Sequence, residues 1–227
     1  MDTPTQTNID FNNLSDEQIT FIRKNLPRKS KYIKKNVYVG KENPTRFFNP
    51  DEWELFIYST NDKWRFYFWF LLLTGVRFKE ARYIKVKDIE FVNRQLLIKR
   101  PKGESQGKVM RYVQLSSFAV KFIKARITEL GLKDDDTFNL PTIQGLIQYM
   151  RKQLEKIGIK DFRDFSIHNI RKTHENYHIS LNVNDNKLMR HMGHTMKTAN
   201  DHYISGSYIK DKKQLDKIRI WIGDAFT

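Results

Sequence analysis

The chain has 227 residues, 39% of them hydrophobic, which is enough for one folded domain of ordinary size and excludes wholesale disorder. Its 41 lysines and arginines against 26 acidic residues give a net charge of +15, which favours a polyanionic partner such as nucleic acid. The lack of cysteine excludes disulfides, thiol nucleophiles and cysteine-ligated metals. The longest apolar run is far shorter than the roughly 20 residues that span a bilayer, and the polar N-terminus does not resemble a signal peptide. We therefore expect a cytoplasmic protein with no membrane partner.

Residues 1–45 differ in composition from the rest of the chain. A capping signature at Ser15 predicts a short helix that ends at Asn25. The following segment, Arg28 to Lys41, carries six positive charges and no acidic residue. Such a run is typical of an arm that binds a polyanion or of a solvated linker, and both interpretations stay open. The candidate DNA-binding residues of this arm are Arg28, Lys29, Lys31, Lys34 and Lys35.

Residues 46–227 are expected to form a mainly α domain with a small three-stranded antiparallel sheet, an α+β fold. The helix predicted over Asp62 to Thr74 is apolar nearly all round, so we place it at the centre of the core. Alternating patterns predict strands over Ile84 to Phe91, Gln95 to Lys99 and Val109 to Leu115. One further helix is predicted to begin at about Asn49. The remaining predicted helices cover Phe78 to Tyr83, Phe118 to Leu130, Thr142 to Ile157, Ile167 to Ser180, Asp185 to Met192 and Asp211 to Ile222.

Two basic residues stand at positions suited to phosphate binding. Arg77 lies two residues after Gly75, and a guanidinium held by a tight turn can present its planar fork to a phosphate. Lys102 lies between the second and third strands, where it can reach into a groove as a phosphate ligand or general acid. Each signal is weak by itself, because surface arginines and basic hairpins are common.

Two later segments carry histidines beside other reactive residues. His168 and Arg171 are three residues apart on a predicted helix, so they share a face where both can act on one phosphate. Tyr203 follows His194 by nine residues, and a tyrosine can be a nucleophile when cations stabilise its phenolate. Tyr208 lies only five residues further on, so spacing alone does not choose between the two tyrosines.

In this order, the segments resemble the catalytic domain of the tyrosine recombinase and integrase family. The family's T-G-x-R-x-x-E box matches Thr74 to Glu80, its H-x-x-R box matches His168 to Arg171, and its Gly-His box appears as Met192-Gly193-His194. The resemblance covers about Phe47 to Tyr208. It implies the tyrosine recombinase catalytic-domain fold and a site-specific recombinase or integrase that cuts and rejoins DNA.

The resemblance also implies how the site binds phosphate. Arg77 and Arg171 would bind the non-bridging oxygens of the scissile phosphate, and His194 would hydrogen-bond it. The charge on these side chains would stabilise the transition state with no metal and no cofactor. Glu80 would support the site structurally rather than act in the chemistry.

Three further residues are implied to move protons or attack phosphorus. His168 would assist proton transfer, Lys102 would protonate the departing 5′-hydroxyl, and Tyr203 would form a 3′-phosphotyrosyl link. The spacing from Arg77 favours Lys102 over Lys99 or Lys108.

The implied partners are double-stranded DNA and further copies of this chain, from a dimer to a tetramer on DNA. Because only about 45 residues precede the catalytic domain, we expect a basic arm or the remnant of a DNA-clamping segment there. A C-terminal helix from about residue 209 carries Trp221, which needs cover. In the resembling family this segment docks on its own domain or on a neighbouring subunit, and both alternatives stay open.

Three other functions are compatible with parts of the sequence. His174 to His178 reads H-E-x-x-H, the zinc-protease pattern, but the chain lacks a third ligand at a typical spacing. A type IB topoisomerase uses a similar set of residues to relax DNA, and a non-enzymatic DNA-binding protein would account for the charge alone.

Overall fold

The computed structural model describes residues 46–99, 110–193 and 209–226. These residues form a mainly helical fold with one small antiparallel sheet, which confirms the predicted fold class. The helices are α1 (Pro50–Ser59), α2 (Asp62–Thr74), α3 (Phe78–Ala81), α4 (Ser117–Leu130), α5 (Ile143–Lys156), α6 (Ile167–Ser180), α7 (Asp185–Met192) and α8 (Lys212–Ile222). The strands are β1 (Ile89–Glu90), β2 (Gln95–Ile98) and β3 (Arg111–Gln114), and they pair in the order β1-β2-β3. No helix in these ranges is long and apolar enough to cross a membrane.

Helix α2 lies at the centre of the core, as predicted. Its residues Phe66 to Thr74 are all buried, so the helix is covered on every face. The Asn61 side chain caps its first turn by accepting a hydrogen bond from the backbone N–H of Trp64 at 3.2 Å. The helix ends at Gly75, whose φ of 60° lies in the left-handed region that glycine adopts without strain. The chain therefore turns sharply just before Arg77.

The predicted strand over Ile84 to Phe91 is wrong for most of its length. Only Ile89–Glu90 pairs with β2, and Val86–Asp88 is instead a 3₁₀ turn. The Asp88 carboxylate accepts the backbone N–H of Lys85 at 3.0 Å, and the N–H of Val86 bonds to the carbonyl of Asp136. A local side-chain cap and a distant loop thus take the hydrogen bonds that a strand would have used.

Helix α8 packs against its own domain, the first of the two docking alternatives. Trp221 meets Trp69 of α2 edge to face at 5.3 Å between ring centroids. The Ser116 hydroxyl, at the start of α4, donates a hydrogen bond to the carbonyl of Trp221 at 2.6 Å. Ile218 and Ile222 of the same helix are almost completely buried. The C-terminal segment is therefore part of the hydrophobic core of this chain.

Candidate active site

Arg77 is held by a network centred on the buried carboxylate of Glu80. That carboxylate accepts the backbone N–H of Arg77 at 2.9 Å and its guanidinium at 3.0 Å. Arg111, on β3, binds both oxygens of the same carboxylate at 3.0 and 2.7 Å. Two arginines from distant parts of the chain therefore share one acidic partner, and the bidentate geometry fixes the orientation of Arg111.

The electrostatics of Glu80 explain its role in this network. Burial by itself raises the pKa of its carboxyl group, but the hydrogen bonds and positive charges of Arg111 and Arg77 outweigh burial and lower the pKa to about 2. Glu80 is therefore ionised at neutral pH and available only as an acceptor. This is consistent with a supporting function and not with proton transfer.

Arg171 is the most deeply buried of the three arginines, with 3% of its surface exposed. Its guanidinium donates to the backbone carbonyls of Gly75 and Met192, so it joins the turn before Arg77 to the end of α7. Burial first, and then the positive charge of Arg77, lower the pKa of Arg171 to about 9. The side chain still carries its charge at neutral pH. Because a guanidinium has five N–H groups, binding two carbonyls does not exhaust its donors.

The three arginines therefore converge on the backbone that leads to His194. Arg77 donates to the carbonyl of Gly193 at 3.3 Å, and Arg111 donates to that of His191 at 3.0 Å. Gly193 has a φ of 63°, and a Cβ at this position would lie 3.0 Å from the Arg111 side chain. Arg77 and Arg111 share one ionised carboxylate while Arg171 binds backbone carbonyls, so the cluster carries excess positive charge and is suited to an anion such as phosphate.

His168 lies in the first turn of α6, where it is exposed, while Arg171 lies one turn further on in the interior. The structure thus brings Arg77 and Arg171 together and places His168 on the same helix as Arg171. Several predicted residues lie outside the described ranges, namely Lys102, His194, Tyr203, Arg28, Lys29, Lys31, Lys34 and Lys35.

The H-E-x-x-H segment lies in α6, and both of its histidines are completely buried. The Nδ1 atom of His174 is 2.6 Å from the carbonyl of Leu72, and its Nε2 atom is 2.9 Å from Nε2 of His191. Glu175 is buried and forms an ion pair with Lys172 at 3.4 Å. Within the described ranges, no group of three or more potential ligands is placed to hold a metal ion.

Arg111 is the component of the cluster that the sequence motifs missed. It lies on β3, where Tyr112 is exposed and Val113 is completely buried. The side chains of a strand alternate between its two faces, so Arg111 projects to the same side as the buried Val113. An arginine on the core-facing side of a strand is a signal that would have predicted a buried anionic partner.

Comparison with known proteins decides the family. Residues 46–208, which cover every motif described above, match the model of the phage integrase family. This chain belongs to that family. A relative of this integrase-family chain is a probable integrase/recombinase of Acholeplasma phage L2, which is 27% identical over 156 residues. The match covers 66% of this chain and 52% of the relative, so the chain spans about half the length of the curated relative that it matches.

Solved structures share the fold of this integrase-family domain. XerA recombinase is 16% identical with a TM-score of 0.58, and the match covers 80% of this chain and 65% of that one. The Tn1549 transposon integrase in complex with circular intermediate DNA is 18% identical with a TM-score of 0.58, over 78% and 68% of the two chains. XerH recombinase bound to its difH substrate is 22% identical with a TM-score of 0.55, over 71% and 50%. At these identities the likeness establishes the recombinase fold.

Proposed function

We propose that this protein is a site-specific DNA recombinase or integrase that works through a 3′-phosphotyrosyl intermediate. The observation that carries the proposal is that Arg77 and Arg171 bind neighbouring backbone carbonyls. Arg77 donates to Gly193, and Arg171 donates to Gly75 and Met192. Two guanidinium groups from separate sequence boxes therefore lie near each other, which supports the binding of a single phosphate. Family membership and the recombinase fold support the same conclusion.

The cleavage step follows from the chemistry of these side chains. The Tyr203 hydroxyl attacks the scissile phosphorus and loses its proton with the assistance of His168. The phosphorus–oxygen bond to the 5′ side breaks, and Lys102 protonates the departing 5′-hydroxyl. Arg77 and Arg171 neutralise the charge that accumulates on the non-bridging oxygens, and His194 donates a hydrogen bond to one of them. Rejoining is the reverse reaction with a 5′-hydroxyl as nucleophile, so the DNA is resealed without ATP.

Replacing Tyr203 with phenylalanine is expected to abolish the covalent adduct while DNA binding survives. The substitution removes only the attacking hydroxyl, so the basic residues that bind DNA are unchanged. The measurement is denaturing electrophoresis after incubation with nicked suicide duplexes that carry candidate attachment sequences. The reactions are run in EDTA, because the proposed charge stabilisation comes from side chains alone.

Tyr208→Phe is the matched control, since it removes the same group five residues away. If Tyr208→Phe loses the adduct and Tyr203→Phe retains it, the assignment of the nucleophile is wrong. Resolution of a synthetic Holliday junction distinguishes a recombinase from a topoisomerase. A recombinase exchanges strands between two duplexes, whereas a topoisomerase relaxes a single supercoiled duplex. A chain that binds all of these substrates without forming an adduct would contradict an enzymatic function.

The expected substrate is double-stranded DNA, bound by a dimer to tetramer of this chain. The protein is expected to act in the cytoplasm, where its DNA lies, with residues 46–227 as the catalytic domain. Residues 1–45 then form a basic arm, or the remnant of a clamping segment, that contacts DNA outside the cleavage site.

DNA binding is expected to weaken steeply with salt. If the protein contacts about six phosphates, raising the salt concentration from 50 to 200 mM should lower the affinity on the order of a thousandfold. The reason is that each contact releases condensed counterions, and added salt opposes that release. Deleting residues 1–45 should reduce the slope of log Kd against log salt concentration, as measured by fluorescence anisotropy. An unchanged slope would identify the arm as a linker.

A further inference from the structure

Two buried histidines connect four elements of the fold through one chain of hydrogen bonds. The backbone N–H of Gln114 donates to Nδ1 of His191 at 3.1 Å. Nε2 of His191 and Nε2 of His174 are 2.9 Å apart, and Nδ1 of His174 is 2.6 Å from the Leu72 carbonyl. The two imidazole planes differ by only 13°, which allows an in-plane hydrogen bond between the rings. We refer to this chain of bonds as the histidine relay.

The two ends of the relay determine which nitrogens carry protons. A carbonyl can only accept, so His174 carries its proton on Nδ1 and its Nε2 atom is an acceptor. A backbone N–H can only donate, so Nδ1 of His191 is the acceptor and its proton lies on Nε2. The His191 Nε2–H group therefore donates to Nε2 of His174. Every donor in the relay meets an acceptor, and adding a proton to either ring would place two donors face to face.

The relay joins the segments that precede or follow the proposed catalytic residues. Leu72 lies in the last turn of α2, just before Gly75 and Arg77. His174 lies one turn after Arg171 on α6, and His191 lies three residues before His194. A Cβ on Gly75 would come within 2.3 Å of the His174 ring, so the ring packs directly against the turn that leads to Arg77.

We propose that His174 and His191 are positioning residues of the recombinase site, because their relay fixes the backbone segments that carry Arg77, Arg171 and His194 relative to one another. This proposal rests on the function proposed above. The two histidines do not touch the phosphate. They act through the backbone, and Arg171 supports the same junction by binding the carbonyls of Gly75 and Met192.

The surroundings favour the neutral form that the relay requires. Burial, first, holds the pKa of His191 well below its usual range, and nearby His174, Arg171 and Arg111 act in the same direction. A hydrogen bond between the His191 ring and the backbone of Thr74 raises the pKa, but it does not outweigh these effects. Burial and the charge of Arg171 likewise lower the pKa of His174 to about 3.

The central bond of the relay is tested by His174→Asn, His191→Asn and the double variant. In His174→Asn the amide can still donate to Leu72, and in His191→Asn the amide oxygen can still accept from Gln114, but neither can make the bond between the rings. We expect each single variant to slow single-turnover cleavage of a suicide duplex on the order of tenfold to a hundredfold, because misplacement by about 1 Å has effects of this size. The Kd for DNA should stay within about twofold, since the residues that contact DNA are retained.

The double variant distinguishes a shared bond from two separate effects. If the bond between the rings is what matters, the double variant is no slower than either single variant, whereas independent structural losses multiply. His178→Leu is the matched control, because its imidazole lies beside both rings but neither of its ring nitrogens has a hydrogen-bond partner among the described residues. It should cleave at the normal rate. Normal rates in the Asn variants, or an equal loss in His178→Leu, would overturn the proposal.

A spectroscopic measurement tests the relay without any variant or substrate. Two-dimensional ¹⁵N–¹H spectra of the full chain with labelled histidine report which ring nitrogen is protonated. We expect the Nδ1–H tautomer for His174 and the Nε2–H tautomer for His191, both neutral at pH 7. The opposite tautomers or a charged ring would overturn the relay. If the unaltered protein forms no adduct with DNA, the proposed function fails, and these spectra still decide whether the relay exists.

Discussion

A chain truncated after Ser207 is expected to be unfolded or close to unfolding at room temperature. The truncation removes four large side chains that are at least nine-tenths buried, Ile209, Ile218, Trp221 and Ile222. Burying each contributes about 1.5–3 kcal/mol, so the loss is at most about 6–12 kcal/mol. Domains have a total stability of about 5–15 kcal/mol, so this loss is comparable to the whole. Thermal melting followed by circular dichroism measures the effect.

Two substitutions on α8 test whether the buried side chains of this helix, rather than the mere presence of the segment, stabilise the fold. Ile218 is completely buried and Ile220, two residues on, is 66% exposed. Ile218→Ala should lower the free energy of unfolding by about 2–5 kcal/mol, whereas Ile220→Ala should change it by less than about 0.5 kcal/mol. A truncated chain that melts normally but no longer forms synaptic complexes would show that the helix acts on a neighbouring subunit instead.

Acidification is expected to destabilise the protein well before its carboxylates are protonated. Three buried histidines, His174, His178 and His191, have pKa values held far below the usual 6.5, and burial is the first cause in each case. Above pH 6.5 they are neutral in both the folded and the unfolded chain and do not affect stability. As the pH falls below 6.5, the unfolded chain binds protons that the folded chain does not. Stability is therefore present above pH 6.5 and is lost progressively below it.

The free energy of unfolding is expected to depend steeply on pH, because the three buried histidines act together. Each contributes about 1.4 kcal/mol per pH unit, so the free energy of unfolding should fall by about 4 kcal/mol per unit below about pH 5.5. Glu80, whose pKa is lowered to about 2, adds its own loss only as the pH falls below about 4.5. Urea unfolding between pH 7.5 and 5 measures the slope.

His178→Leu provides the control for the acid effect. It leaves two histidines whose pKa is lowered, so the change in the free energy of unfolding per pH unit below pH 5.5 should be smaller by about a third. Above pH 7 the variant should be at least as stable as the parent, because the buried imidazole that it removes has no hydrogen-bond partner in the described part of the chain. An unchanged slope would show that other groups cause the acid sensitivity.

Local features of the sequence predicted most of the helices and the family. The central helix was predictable because nine consecutive apolar or neutral residues end at a glycine, and both signals lie within one segment. Arg77, His168 and Arg171 could be predicted as site residues because their boxes combine residue type with short spacing. The strand over Ile84 to Phe91 was wrong because alternation is also compatible with a 3₁₀ turn, and the partners that decided the outcome lie in a loop near residue 135.

What the sequence by itself determined, therefore, is the set of helices and the identity of the motifs, since both depend on residues close together in the chain. Only the tertiary structure decided the rest. It brought Arg111 to Glu80 across 31 residues, His191 to His174 across 17, and α8 to the core of its own domain. Contacts of this kind depend on how separate elements pack, and the composition and spacing of any one segment do not show which distant segment supplies its partner.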